Sequence, residues 1–196
     1  MKKLSYYSLS LVIMGAAVVG CKSTNSKVKN TPQPAGEVEV VVPCSGPDYF
    51  TTSKFFRANS IGESMDQVTS KKKALSNARA ELASSIQTTV KAVTDNYTNS
   101  REMNNKEEIE QRFEQLNREV VDQQLNGVRT ICEKLMKTSD GNYKTYIALE
   151  LSAEDLAAAY NERLSKDDRL KIDYDYEKFK DTFNQEMEKR AADANK

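Results

Sequence analysis

Residues 64–99 constrain the fold more than any other stretch of the chain. Ser64-Met65-Asp66-Gln67 has the spacing of a capping box, in which the Ser64 hydroxyl accepts from the third helical N–H and Gln67 reaches back. Beyond it, Val68, Leu75, Ala78, Leu82, Ile86, Val90, Val93 and Tyr97 recur mostly at steps of three or four. Lys71, Lys72, Lys73, Asn77, Arg79, Glu81, Gln87 and Lys91 fill the positions between them, so one face is apolar and the other wet. The pattern predicts a helix over 64–98, roughly 50 Å long. Such a helix is not stable alone in water, and its stripe must lie on a surface supplied by the rest of the chain.

The flanking residues are suited to supply that surface as a small antiparallel sheet. Lys54 to Ile61 (KFFRANSI) is aromatic-rich with a period near two and reads as a strand leading through Gly62 into the helix. Asp140-Gly141 separates 126–137 from 142–151, where Tyr143, Thr145, Ile147, Leu149 and Leu151 share one face of a predicted hairpin. Asn105 with Glu108 starts a second helix over 105–123, striped by Ile109, Phe113, Leu116 and Val120, which is expected to pack back beside the first. Ser152 caps a helix over 152–164, and Tyr176, Phe179, Phe183 and Met187 make a narrow stripe on a charged helix over 175–192. That stripe is expected to dock on its own domain. Glu37 to Val42 (EVEVVV) reads as a short edge strand ended by Pro43. The fold class is α+β, with the long helix laid on the sheet.

The amino terminus carries a different signal. Met1-Lys2-Lys3 is basic, Leu9 to Val19 is an apolar run of eleven residues, and Val18-Val19-Gly20-Cys21 follows directly. The run is too short for a retained membrane span, and small Gly20 beside the Cys21 thiol suits a peptidase. The tetrad resembles the lipobox of bacterial lipoproteins. That resemblance implies acylation of Cys21 and cleavage between Gly20 and Cys21, with several acyl chains making a stable anchor. Losing residues 1–20 leaves 27 basic and 29 acidic residues, a net charge of about −2. Lys22 to Gly36 (KSTNSKVKNTPQPAG) reads as a flexible tether, with Lys22, Lys27 and Lys29 solvated. Lys22, where an aspartate would signal retention at the inner membrane, resembles the outer-membrane class, with the domain facing the periplasm. The expected organisation is a signal peptide over 1–20, a lipidated tether over 21–36, an α+β domain over 37–165 and a charged helix over 166–196.

Composition closes several functional classes. Lys plus Arg and Asp plus Glu number 29 each, so no net field draws nucleic acid, and Lys71-Lys72-Lys73 reads as a wet helix face. The chain has no His, which removes Ser/His and Cys/His nucleophile pairs and every His-containing zinc site. Its seven glycines form no phosphate-cradling loop. Asp167, Asp168, Asp173, Asp175 and Glu177 lack calcium-loop spacing and read as a solvated run, so no metal or cofactor is expected. With Cys21 lipidated, Cys44 and Cys132 remain in an oxidising compartment. Two arrangements fit: a Cys44–Cys132 disulfide, or a buried Cys132 with Cys44 as a loop thiol.

The run FFRANSIGESMDQVTSKKKALSNARAELASSI, with Ala74, Ala78, Ala80, Leu82 and Ala83 along the helix, resembles the LPP-twenty family of small outer-membrane lipoproteins. Ile131, Cys132 and the YKTYIALEL strand are similar to the strands after the helix in that family and in the related amino-terminal domain of the flagellar ring protein T. The likeness covers Lys54 to Leu151, brings no catalytic residues and implies a long helix on an antiparallel sheet. The function expected is a non-enzymatic binding or scaffolding module at the outer membrane, with an envelope protein or cell-wall component as partner. The competing class is a cell-wall hydrolase or transferase with a carboxylate-only site. Two carboxylates facing each other in a pocket would favour the enzyme, and an exposed sheet edge the binding module.

Overall fold

Strand β1 (Phe55–Ser64) turns directly into helix α1 (Gln67–Asn99), and α1 returns across one face of a three-stranded antiparallel sheet. The computed structural model describes residues 36, 38, 40–99, 106–167 and 175–194. After α1 come α2 (Lys106–Gln124), β2 (Arg129–Lys137), β3 (Tyr143–Ser152), α3 (Ala153–Lys166) and α4 (Tyr176–Ala194). The sheet order is β1-β3-β2, with Phe55 opposite Ser152 at one end of the β1–β3 ladder and Ser64 opposite Tyr143 at the other. The architecture is α+β.

The β1–α1 corner differs from the expected one. β1 continues to Ser64 and α1 begins at Gln67, because β3 reaches Tyr143 and offers ladder partners for Gly62, Glu63 and Ser64. The cap is Asp66 and not Ser64: Asp66 Oδ1 accepts from the Thr69 N–H at 2.7 Å, whereas Ser64 Oγ accepts from the Asp66 N–H at 3.3 Å. Hydrogen bonds from Thr69 hold the Asp66 carboxyl below its ordinary pKa. Val68, assigned to the apolar stripe, is exposed on the first turn. The buried face instead starts with Ser70 and Ala74, then follows Ala78, Leu82, Ile86, Val90, Val93 and Tyr97.

Small residues let α1 sit close to the sheet. A Cβ on Gly62 would stand 2.2 Å from the Ser70 carbonyl oxygen and 2.5 Å from the Ala74 nitrogen, so only glycine fits beneath the helix there. Ser70 Oγ donates to the Gly62 carbonyl at 2.9 Å, which satisfies a hydroxyl that no water reaches. Leu82 and Ile86 are fully buried in the same cluster as Ile147 and Leu149. Ile131 is not in that cluster: it falls at the β-bulge between Thr130 and Cys132 and is only half-buried.

The remaining helices close the core beyond the sheet. α2 lies beside α1, burying Phe113, Leu116, Val120 and Val121; the side chain of Ile109 and the cap residue Asn105 lie outside what is described. Ser152 Oγ caps α3 by accepting from the Asp155 N–H at 3.1 Å. α4 docks its Phe179, Phe183 and Met187 stripe on its own domain. Phe179 meets Tyr97 at 5.8 Å and Tyr160 at 6.1 Å between ring centroids, which joins α1, α3 and α4 through one aromatic cluster. The hairpin turn is closed by the Gly141 N–H to the Thr138 carbonyl, with Gly141 at φ +85°.

Of the edge strand expected at Glu37–Val42, the described residues Val38 and 40–42 are not in a strand. Val40, Val41 and Val42 pair with neither sheet edge, and Val38, Val40 and Val41 are exposed. Pro43 and the left-handed Cys44 (φ 57°) turn the chain onto the sheet face away from α1. Ala148 and Glu150 are buried on that face.

Candidate functional site

The residues expected to carry the membrane anchor, Gly20 and Cys21, lie outside the described residues. Cys44 and Cys132 are brought together, with sulfurs 2.05 Å apart and Cα atoms 5.5 Å apart across a sequence separation of 88. The bridge fastens the segment before β1 to strand β2. Cys44 Sγ also lies 3.7 Å from the Tyr146 carbonyl oxygen of β3, so the segment is seated on the middle strand.

Beside the bridge, the same face carries a charge ladder that the sequence did not reveal. Cross-strand register sets Arg57 of β1 and Arg129 of β2 on either side of Glu150 of β3. Arg57 Nε and Nη2 both reach Glu150 Oε2, at 2.8 and 2.7 Å, and Arg129 Nη2 reaches Oε1 at 2.6 Å. Arg57 Nη1 donates to the carbonyl oxygens of Asp48 and Phe50. A buried carboxylate is thus neutralised on both oxygens, and one arginine ties the 47–51 segment to the sheet. No spacing rule could have found this, since the three charges meet only after both strand pairings are set.

The free edge of β1 is the open feature. Thr51 Oγ1 accepts from the Arg57 N–H at 3.0 Å and donates to its carbonyl at 3.2 Å, while Thr52 bonds both backbone groups of Phe55. By the alternation of an antiparallel ladder, the odd-numbered residues of β1 therefore turn their backbone groups away from β3. The Glu63 carbonyl accepts from Lys73 Nζ at 3.1 Å. Between these covered positions, Asn59 and Ile61 have no backbone partner on that edge among the described residues. A groove of about 860 Å³ runs beside Asn59, lined by Ala58, Asn59 and Ser60 of β1, Ser85 and Thr88 of α1, and Arg190 of α4. Arg190 Nε donates to Ser85 Oγ at 3.1 Å, and burial lowers its pKa while the Asp193 charge opposes the shift. The arrangement offers a short backbone frame at which an extended segment can add as a further strand.

A second cleft, about 680 Å³ between α2 and α3, is lined by polar side chains apart from Leu116. Its carboxylates are each paired with a cation: Asp167 with Arg112 at 2.6 Å, Glu162 with Lys166 at 2.8 Å and Glu119 with Arg163 at 3.8 Å. The hydrogen bond from Lys166 lowers the pKa of Glu162, the reverse of what a general acid needs. Of the carboxylates weighed as a cation site, Asp168 and Asp173 lie outside the described residues. Asp175 Oδ1 caps α4 by accepting from the Lys178 N–H at 3.1 Å, and Glu177 is exposed. Among the described residues, no three His, Cys, Asp or Glu side chains gather as a metal site, and no helix is long and apolar enough to cross a membrane. No protein-family model matches the chain, and no curated protein matches its sequence.

Proposed function

We propose that the chain is a lipid-anchored outer-membrane protein of bacterial type whose folded unit faces the periplasm as a non-enzymatic binding or scaffolding module. The observation that carries the binding role is the open backbone frame of Asn59 and Ile61, with Asn59 lining the groove beside α1 and α4. An unpaired edge of this kind takes an extended segment of a partner through main-chain hydrogen bonds, with the groove accommodating alternate side chains. The anchor reading rests on Val18-Val19-Gly20-Cys21 after the apolar run. The resemblance of residues 54–151 to the LPP-twenty family agrees with both parts, and the charge-paired carboxylates of the α2–α3 cleft favour binding over a carboxylate-only hydrolase.

A photo-crosslinking residue at position 59 of the full-length chain, in cells, tests the edge; position 177 on exposed α4 serves as the control. A crosslink to an envelope component from 59 and not from 177 is the expected result, and equal yields from both remove the edge as the site. Cys21→Ser is expected to abolish fatty-acid labelling and to leave an uncleaved or soluble periplasmic form. Labelled Cys21→Ser protein in the outer membrane would overturn the anchor.

A further inference from the structure

Strand β2 is the far margin of the sheet, and among the described residues no backbone group pairs with its outer edge. None of its side chains is fully buried, because α1 packs chiefly on β1 and β3. The Thr138 N–H donates to the Asn142 carbonyl at 2.8 Å. By alternation from that bond, the even-numbered residues up to the bulge turn their backbone groups to β3, and Glu133, Leu135 and Lys137 turn theirs outward. The side chains of these three share the face that carries α1, opposite Ile147, Thr145 and Tyr143, while Lys134 and Met136 lie on the other face. Leu135 is 44% and Met136 46% exposed. Lys71 Nζ reaches Glu133 Oε1 at 2.8 Å, and Lys137 Nζ stands 5.4 Å over the Tyr143 ring with no carboxylate partner among the described residues. Lysines and a bulge are the usual means of keeping an edge unpaired. Here the bulge, between Thr130 and Cys132, lies outside the 133–137 stretch, and the charges of that stretch are complementary to themselves.

We propose that the outer edge of β2 pairs antiparallel with the same edge of a second copy of this chain, about a two-fold axis at Leu135. A two-fold contact needs a patch that complements itself, and Glu133-Lys134-Leu135-Met136-Lys137 is one. In this register Leu135 meets Leu135 of the second copy, Glu133 and Lys137 stand opposite the second copy's Lys137 and Glu133, and on the other face Met136 lies along the methylenes of Lys134. The Leu135 pair and both Glu133–Lys137 pairs aim their outward backbone groups at each other, so each pair exchanges both N–H···O bonds. An axis at Glu133, Lys134 or Lys137 sets like charges opposite one another, and an axis at Met136 puts Glu133 opposite Ser139, past the end of the strand. Charge thus selects both the occupant and the register. The interface is small, so the dimer is weak and depends on concentration. The joined sheet, β1-β3-β2-β2-β3-β1, leaves a β1 margin at each end and presents two Asn59 frames. That last consequence rests on the reading of β1 as a binding edge; the pairing itself does not.

Sedimentation equilibrium of the full-length chain in density-matched detergent tests the pairing. The mass is expected to rise from one chain towards two with concentration. Glu133→Lys alone and Lys137→Glu alone each set like charges opposite one another and are expected to weaken association about tenfold or more. Mixing the two single variants restores opposite charges at both positions, as does placing both changes in one chain, and each is expected to bring association back to within about threefold of the unaltered protein. Because a variant must be folded to be rescued by its complement, the mixture separates lost pairing from lost fold. A single chain at every concentration overturns the proposal. Association equal in the unaltered protein and in both single variants assigns it to another surface or to the shared micelle and also overturns it. Single variants that dissociate and are rescued neither by mixing nor by the double change overturn the register, and with it the second copy as occupant.

Discussion

Ser70 and Thr145 meet hydroxyl to hydroxyl at 2.8 Å beneath the first turns of α1, where the helix lies closest to the sheet. Ser70 Oγ gives its proton to the Gly62 carbonyl, so the Thr145 hydroxyl is the donor between the two. Both side chains are buried, and the chain of bonds links β1, α1 and β3.

Gly62→Ala should therefore be among the most damaging single methyl additions in the fold. The new Cβ meets backbone atoms of Ser70 and Ala74, which cannot rotate away, and α1 must lift from the sheet. A loss of about 3 kcal/mol or more is expected in denaturant titration. Gly127→Ala, with nothing within 4 Å of the added carbon, is the matched control and should change stability by less than about 0.5 kcal/mol.

Leu82 and Ile86 lie one turn apart at the middle of the α1 stripe and are fully buried. Replacing either with Ala should cost roughly 2–5 kcal/mol through lost burial and the cavity left behind. Ala at exposed Glu81 or Gln87 should cost less than about 0.5 kcal/mol. Equal denaturant midpoints for Leu82→Ala and Glu81→Ala would mean that α1 does not rest on the sheet.

Glu150→Ala is expected to destabilise by about 2–4 kcal/mol, because Arg57 is left in a mostly buried position with no carboxylate. Arg129→Ala should cost less than about 1 kcal/mol, since its side chain is 68% exposed and Glu150 keeps Arg57. Thermal midpoints of the two variants under identical buffer test the asymmetry; similar losses would show that Glu150 stabilises the fold through Arg129 and not chiefly through Arg57.

Native protein blocked with an alkylating reagent without reductant should show neither Cys44 nor Cys132 modified, and peptide mapping should recover the two joined. Closing so long a loop should contribute roughly 2–5 kcal/mol, lost in the paired variant Cys44→Ser with Cys132→Ser. Alkylation of both residues in folded, unreduced protein would rule the bridge out.

Much of this architecture is legible in the sequence because it rests on local periodicity. The stripe from Ala78 to Tyr97, the alternation from Tyr143 to Leu151, the Ser152 cap and the Phe179–Phe183–Met187 spacing all state their burial within one or two turns or pleats. Such patterns need no knowledge of the partner surface. The Cys44–Cys132 pairing was one of two arrangements that the sequence left open, since a separation of 88 residues says nothing about distance.

What the tertiary structure alone decided lies where elements meet. A capping box at Ser64 is locally sound, but β3 extends far enough to hold Ser64 in the ladder, and the helix start moves to Asp66. The valines of 40–42 have strand composition, yet strand formation needs an edge to pair with, and the chain at Cys44 is directed onto the sheet face instead. Glu150 sits in an alternating strand as an outward residue and becomes buried only because the 47–51 segment and two arginines from different strands converge on it. The open frame at Asn59 and Ile61 is likewise a remainder, left after Thr51, Thr52 and Lys73 have taken the other positions on that edge. Local periodicity sets which face of an element is apolar; which polar groups are left without a partner depends on contacts between residues far apart in the chain, and those exist only once the elements have packed.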